Sequence, residues 1–442
     1  MRNRHALDLL NRIVLAWSIG LAIAGCGPQA APPSQPPRTI ANPPSFVVIL
    51  ADDVGYGDLS CFGQERFATP NVDRLAKQGL RLTEFYAGDP TGESTAWCLM
   101  TGFDTARAGK DEATRFALQP EHATMSEVLA AAGYETGFAG VWTLGDTKNL
   151  LPQAGVLESA AILPGEEGVP EFPTAIWKNG QEERVAENAE GNQLHLTDLV
   201  ARETAAFLQN RQSGNPFFLF VVLKLPHGSQ ATPSWDQFDG LDWTDSQKAY
   251  AARITEFDRF TGMIMNQLQQ ANLAGRSTVI FTSDSGPRAD DEGTLEFFNS
   301  TGGLRGHQGS LYEGGLRVPF VARSPRLFMT DIERDDPAVV WDLLPTFIEL
   351  SGAVRKPRTL DGVSIAPLMR GGIGNPRDML YWENREEAGL AQAVRMEKWK
   401  VVRPAGKMER EACELYDMKK DPGESKNVAK EHPDVVARFL RG

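Results

Sequence analysis

The chain has 442 residues, with 45 basic against 58 acidic side chains, a net charge of −13, and 41% hydrophobic and 23% charged residues. This balance excludes whole-chain disorder, collagen-like repeats and a disulfide-dense miniprotein. An acidic chain has no excess of Lys and Arg to displace counterions from phosphate, which argues against nucleic-acid binding. A sulfated or phosphorylated ligand would need local cations or a bound metal to overcome the overall field.

Arg2, Arg4 and Arg12 form a basic segment before the apolar run 13–23, and Ala24-Gly25-Cys26 supplies small residues ahead of a cysteine. The pattern resembles a bacterial lipoprotein signal: residues 1–25 are expected to be removed and Cys26 lipidated, giving an exported, membrane-anchored protein of the cell envelope. The plainer alternative, an uncleaved anchor helix, falls short of the ~20 apolar residues that span a bilayer. Residues 26–44 read as a semi-rigid tether, since seven prolines between Gly27 and Ser45 cannot pack a core. The remaining cysteines, Cys61, Cys98 and Cys413, are odd in number and unpaired in spacing, so no disulfide framework is expected.

Taken in order, Phe46 to Leu50 is a continuous apolar run, the pattern of a strand buried on both faces. Thr69-Pro70-Asn71 opens a helix, Val128 to Ala132 ends another, and Thr136 to Ala139 is a short strand. Residues 143–195 lack periodicity and read as irregular insertions over one end of the sheet. Thr197 to Asn210 is helical, Pro216 to Leu223 a second apolar strand, Tyr250 to Ala271 a long amphipathic helix, and Thr278 to Thr282 a third buried strand. Strands alternating with helices predict an α/β fold, a doubly wound and mostly parallel sheet over residues 45–378. From 379 to 442 shorter alternating segments, Gln392 to Arg395, Trp399 to Val402 and Glu414 to Asp417, predict a small antiparallel sheet, with one closing helix from Pro433 to Leu440.

Ligands of open α/β sheets bind beyond the carboxyl ends of the strands, and two of these strands end in Asp52-Asp53 and Asp284-Ser285. Three converging carboxylates call for a cation, and hard oxygen ligands suit Ca²⁺ or Mg²⁺. The alternative is that these acids merely cap helices. Spacing alone leaves the two even.

Several ordered blocks resemble the sulfatase family of the alkaline phosphatase superfamily. They are Ala51 to Asp58, Thr69 to Leu75, Pro216 to Leu219 leading to Pro226-His227, Val279 to Asp284, Leu311 to Pro319, and Glu414 to Asp417 with Asp421 to Glu424. The resemblance implies an alkaline-phosphatase-like fold, sulfuric ester hydrolysis, a metal held by Asp52, Asp53, Asp284 and residue 285, and His227 at the ester. It also implies a Cys or Ser, oxidised to formylglycine, in a Cys/Ser-x-Pro/Ala-x-Arg motif at a helix N-terminus. Ungapped placement between Phe85-Tyr86-Ala87 and Leu99-Met100-Thr101-Gly102 sets that motif on Gly92 to Ala96.

The departures are consistent with one another. Gly92 has nothing to oxidise, Ala96 replaces the arginine, Val141 and Thr143 replace a lysine and a histidine, Gln308 replaces the second lysine, and Ser285 replaces the asparagine ligand. One lost electrostatic contact of this kind costs ~3–4 kcal/mol of barrier, so the loss of several together removes the covalent mechanism. The expectation is a pseudo-sulfatase that keeps a weak Ca²⁺ or Mg²⁺ site and binds a sulfated glycan or other anionic ester. One alternative is an active sulfate or phosphate ester hydrolase using metal-activated water or Ser94, although Ser94 or Thr95 reads more simply as the cap of the helix running to Met100. A purely structural lipoprotein is the third.

Overall fold

The computed structural model describes residues 42–442 except 110–113, 146–154, 166–167, 192, 212–213, 226–233, 290–292, 328–329, 355–356, 358, 408 and 440–442. The signal segment, Cys26, most of the tether and His227 therefore lie outside the described residues. Among those described, no helix is long and apolar enough to cross a membrane.

A ten-stranded sheet organises the chain. Its centre is five parallel strands in the order Ser277–Ser283, Ser45–Ala51, Phe217–Leu223, Glu135–Val141 and Glu158–Ile162. Every residue of the first three is buried, as their uninterrupted apolar runs require. Side chains of Ser45–Ala51 alternate between two cores. Phe46, Val48 and Leu50 pack with Trp97, Leu129 and Phe347 on one face, and Val47, Ile49 and Ala51 pack with Val72, Leu199 and Phe257 on the other. Helices Thr95–Thr101, Met125–Ala131 and Leu343–Ser351 thus cover one face, and Pro70–Lys77, Leu196–Gln209 and Asp245–Gln270 the other. The doubly wound α/β prediction holds.

One expectation needs correction. Residues 143–195 are not merely irregular: Glu158–Ile162 joins the parallel core, and Ala175–Lys178 with Gln181–Arg184 extends the sheet antiparallel to its edge. The last two strands form a hairpin across Asn179-Gly180, both at positive φ (50° and 81°), as a type I′ turn demands.

The C-terminal residues form the expected antiparallel sheet, Leu380–Glu386, Gly389–Met396, Trp399–Arg403 and Glu414–Asp417, followed by helix Pro433–Phe439. It is tied to the larger sheet by buried charge. Lys400 Nζ lies 2.9 Å from both Glu313 Oε1 and Glu424 Oε1, all three side chains wholly buried. Arg395 pairs with Glu84 and Tyr86 beside them.

Candidate functional site

The site is dictated by strand register. Ala51 pairs with both Leu223 and Ser283, so the next residue on each of the three parallel strands, Asp52, Lys224 and Asp284, emerges side by side at the carboxyl edge. Asp53 follows at φ 55°, a left-handed conformation that Asp tolerates, and donates its N–H to Asp284 Oδ1 at 3.0 Å. One ligand oxygen from each of Asp52, Asp53 and Asp284 lies within 4.8 Å of the others. The acid cluster expected from the sequence is present, and all three acids are buried.

Three donors reach into it. Lys224 Nζ stands 2.6 Å from Asp52 Oδ1 and 2.6 Å from Asp284 Oδ2. Ser285 Oγ donates to Asp53 Oδ1 at 2.8 Å, and Gln308 Nε2 donates to the same oxygen. Burial and the neighbouring charge of Asp52 push the Asp53 carboxyl up to about 6. Burial also holds Asp284 well above the usual carboxylate range, against the opposing pull of Lys224. For Lys224 itself burial would lower the pKa, but Asp284 and Asp52 overcome it and hold the ammonium well above its usual value.

The loop ahead of helix Thr95–Thr101 lies against this cluster. Gly92 sits at φ 79°, and a Cβ there would stand 3.0 Å from Asp284 Cγ and 3.1 and 3.2 Å from its oxygens. The Asp89 carboxylate accepts the N–H groups of Thr91, Gly92 and Ser94 at 2.7, 2.7 and 2.9 Å. This corrects the expected cap: neither Ser94 nor Thr95 caps the helix with its side chain, and Asp89 holds the amides of the loop that leads into it. Thr95 Oγ1 instead accepts from Gly88 N–H and donates to the Asp284 carbonyl at 2.6 Å. Ser94 is fully buried, with Cys98 Sγ 3.7 Å from its hydroxyl, and presents no nucleophile to solvent.

Register and loop geometry therefore bring together Asp52, Asp53, Asp284, Ser285, Gln308 and the backbone of Gly92. They do not bring Ala96 or Val141 to a solvent-facing surface, since both are buried among apolar side chains of the two cores. Thr143 is exposed and lines a cavity of about 310 Å³ that also borders Glu93, Arg115 and Lys224. Lys224 and Asp52 also border a much larger open cleft of about 1180 Å³, whose walls include Phe172, Trp177, Leu225 and Arg288.

Lys224 was missed from the sequence, as was Asp89. The signal for Lys224 was its position, the first residue past a fully apolar parallel strand. Gly55 and Gly57 have a structural rather than chemical reason to be glycine. A Cβ on either would fall 2.3 Å from Ser300 O or 2.1 Å from Asn299 O, so only glycine lets this loop pass the 299–302 turn.

Comparison with known proteins agrees with the fold and the cluster. Residues 44–353 match the Sulfatase family model, and residues 307–439 match that of the N-sulphoglucosamine sulphohydrolase C-terminal region. Arylsulfatase A of Homo sapiens is 30% identical across 90% of this chain and 86% of its own length. N-acetylgalactosamine-6-O-sulfatase of Bacteroides thetaiotaomicron is 26% identical across 90% of this chain and 92% of its own. The solved structure of Ps i-CgsB superposes with a TM-score of 0.76 at 25% identity, covering 90% of this chain and 91% of that one. With a family match over most of its length and the carboxylates in place at the strand ends, the chain belongs to the sulfatase family.

Proposed function

We propose that this sulfatase-family chain binds a sulfated saccharide without hydrolysing it by the formylglycine route. The observation that carries the reading is Gly92: the nucleophile position has no side chain, and the space a Cβ would enter is bounded by the Asp284 carboxylate. Ala96 and Val141, where the family resemblance expects cations, are core residues, so developing sulfate charge loses two partners along with its nucleophile. The large cleft supports a saccharide ligand. Trp177 and Phe172 offer apolar faces to a sugar ring, and Arg288 and Lys224 offer cationic groups to a sulfate. A relative named for N-acetylgalactosamine-6-sulfate makes a sulfated hexosamine the first ligand to try.

Of the ions that the resemblance implies, Ca²⁺ suits three carboxylates best, and Asp52, Asp53 and Asp284 would hold it only with Lys224 displaced. No step is assigned to it. The sequence further supports a lipid tether at Cys26, so Cys26→Ser should move the protein out of the membrane fraction; unchanged membrane association would count against the tether.

The catalytic half of the reading is tested by assaying the purified chain, coproduced with a formylglycine-generating enzyme, on an aryl sulfate and an aryl phosphate. The expected rate equals the background without protein. Saturable turnover abolished by Ser94→Ala would overturn the reading.

A further inference from the structure

We propose that Lys224 is the resident cation of this site, a side-chain ammonium standing where sulfatases hold a divalent metal, and that the folded protein needs no metal ion.

The first support is topological. Lys224 continues strand Phe217–Leu223, which pairs with Ser45–Ala51, and Ser45–Ala51 pairs in turn with Ser277–Ser283, so Asp284, Asp52 and Lys224 leave three successive strands in that order. The backbone that delivers two of the three acids delivers the lysine in the same row, beside Asp52, and the length of its side chain carries Nζ to Asp284 as well. No loop rearrangement is needed to bring it there.

The second support is the contact pattern. One Nζ bridges carboxylates from two different strands at equal distances of 2.6 Å. These are short, charge-assisted hydrogen bonds, and an ammonium has three protons with which to make them. Its side chain keeps 19% of its surface exposed, at the wall of the large cleft.

The third support is the hydrogen-bond sense of the other groups. A hard cation needs lone pairs turned towards one point. Here Asp284 Oδ1 is taken by the Asp53 N–H, and Asp53 Oδ1 accepts both the Ser285 hydroxyl and the Gln308 amide. Ser285, at the position of the family's asparagine ligand, spends its proton on Asp53. Gly92 contributes no oxygen at all. The cluster is organised around N–H and O–H donors, and the residues present do not fit a divalent ion unless Lys224 swings out.

The charge count supports the exchange. A single ammonium offsets less of the charge of three converging carboxylates than a divalent ion would. Removing the lysine should therefore leave a site that recruits a divalent cation from solution.

The test combines metal analysis with thermal unfolding of the full chain, and its readout is independent of any turnover assay. Wild type purified without chelator should carry no stoichiometric Ca²⁺, Mg²⁺, Mn²⁺ or Zn²⁺, and its melting temperature should be the same with EDTA or with millimolar CaCl₂. Lys224→Gln should melt lower in EDTA and gain ~3 °C at a hundredfold excess of Ca²⁺ over its dissociation constant. The gain should vanish in Lys224→Gln combined with Asp284→Asn. Should Lys224→Gln not fold alone, its refolding yield with and without Ca²⁺ gives the same information, and Lys224→Arg should remain indifferent to metal. One equivalent of a divalent ion in wild type, stabilising it against EDTA, would overturn the proposal. So would a Lys224→Gln protein that neither binds nor is rescued by any of these ions.

Discussion

The proposed reading turns on Gly92, a residue with no side chain beside the acid cluster. Its left-handed φ of 79° suits glycine, and the Asp284 carboxylate lies where a side chain would begin. A non-glycine residue held at such a φ costs on the order of 1–3 kcal/mol, and contacts of 3.0–3.2 Å to Asp284 add to that. Gly92→Cys should therefore lower stability by about 2 kcal/mol in denaturant titration and yield no sulfatase activity. An unchanged unfolding midpoint would show that the loop relaxes freely. The same residue was readable from sequence, because an ungapped block fixed its position; Lys224 was not. A lysine is the side chain least expected to be buried, and the end of an apolar strand directs attention to the apolar run rather than to the residue after it.

At the scale of elements, legibility followed composition. Strands Ser45–Ala51, Phe217–Leu223 and Ser277–Ser283 are apolar on both faces and could be found by pattern alone. Glu158–Ile162, with the sequence Glu-Ser-Ala-Ala-Ile, carries little β-branched bulk, and Gln181–Arg184 is wholly exposed, so neither has a burial signature. The Asn179-Gly180 pair was the available signal for that hairpin. The join between the two sheets was illegible for a different reason. Lys400, Glu313 and Glu424 are distant in sequence, and nothing in their local context announces that they meet in the interior.

That join has a pH signature. Burial pushes the Glu424 carboxyl up to about 7 from an ordinary 4.5, with Lys400 opposing the shift. A carboxyl with a raised folded-state pKa binds its proton more tightly in the native state. Its contribution is therefore fully present below about pH 4.5 and is lost as pH rises through about 7. Asp58, buried and pushed up to about 6, acts in the same direction. Glu424→Gln should flatten the decline in unfolding free energy between pH 5 and pH 7.5. Equal slopes for the variant and wild type, measured by urea titration at each pH, would remove Glu424 from this role.

The whole molecule is a sulfatase-family fold, and in the reading proposed above its supporting structure is retained while its reactive groups are replaced. The sheet still delivers three acids to one edge, and the cleft beside them still presents aromatic and cationic side chains. The proposed reading places the change in the groups that would act on a bound ester: Gly92 without a side chain, Ala96 and Val141 in the core, and Lys224 bridging Asp52 and Asp284. The proposed reading separates binding from turnover, and one experiment reads both. A proton NMR time course of N-acetylgalactosamine 6-sulfate with substoichiometric protein should show ligand lines broadened by exchange with the cleft while the spectrum of the sulfated sugar stays unchanged over days. Growth of the desulfated sugar's signals in proportion to protein concentration, or lines that stay sharp at every concentration, would contradict the account.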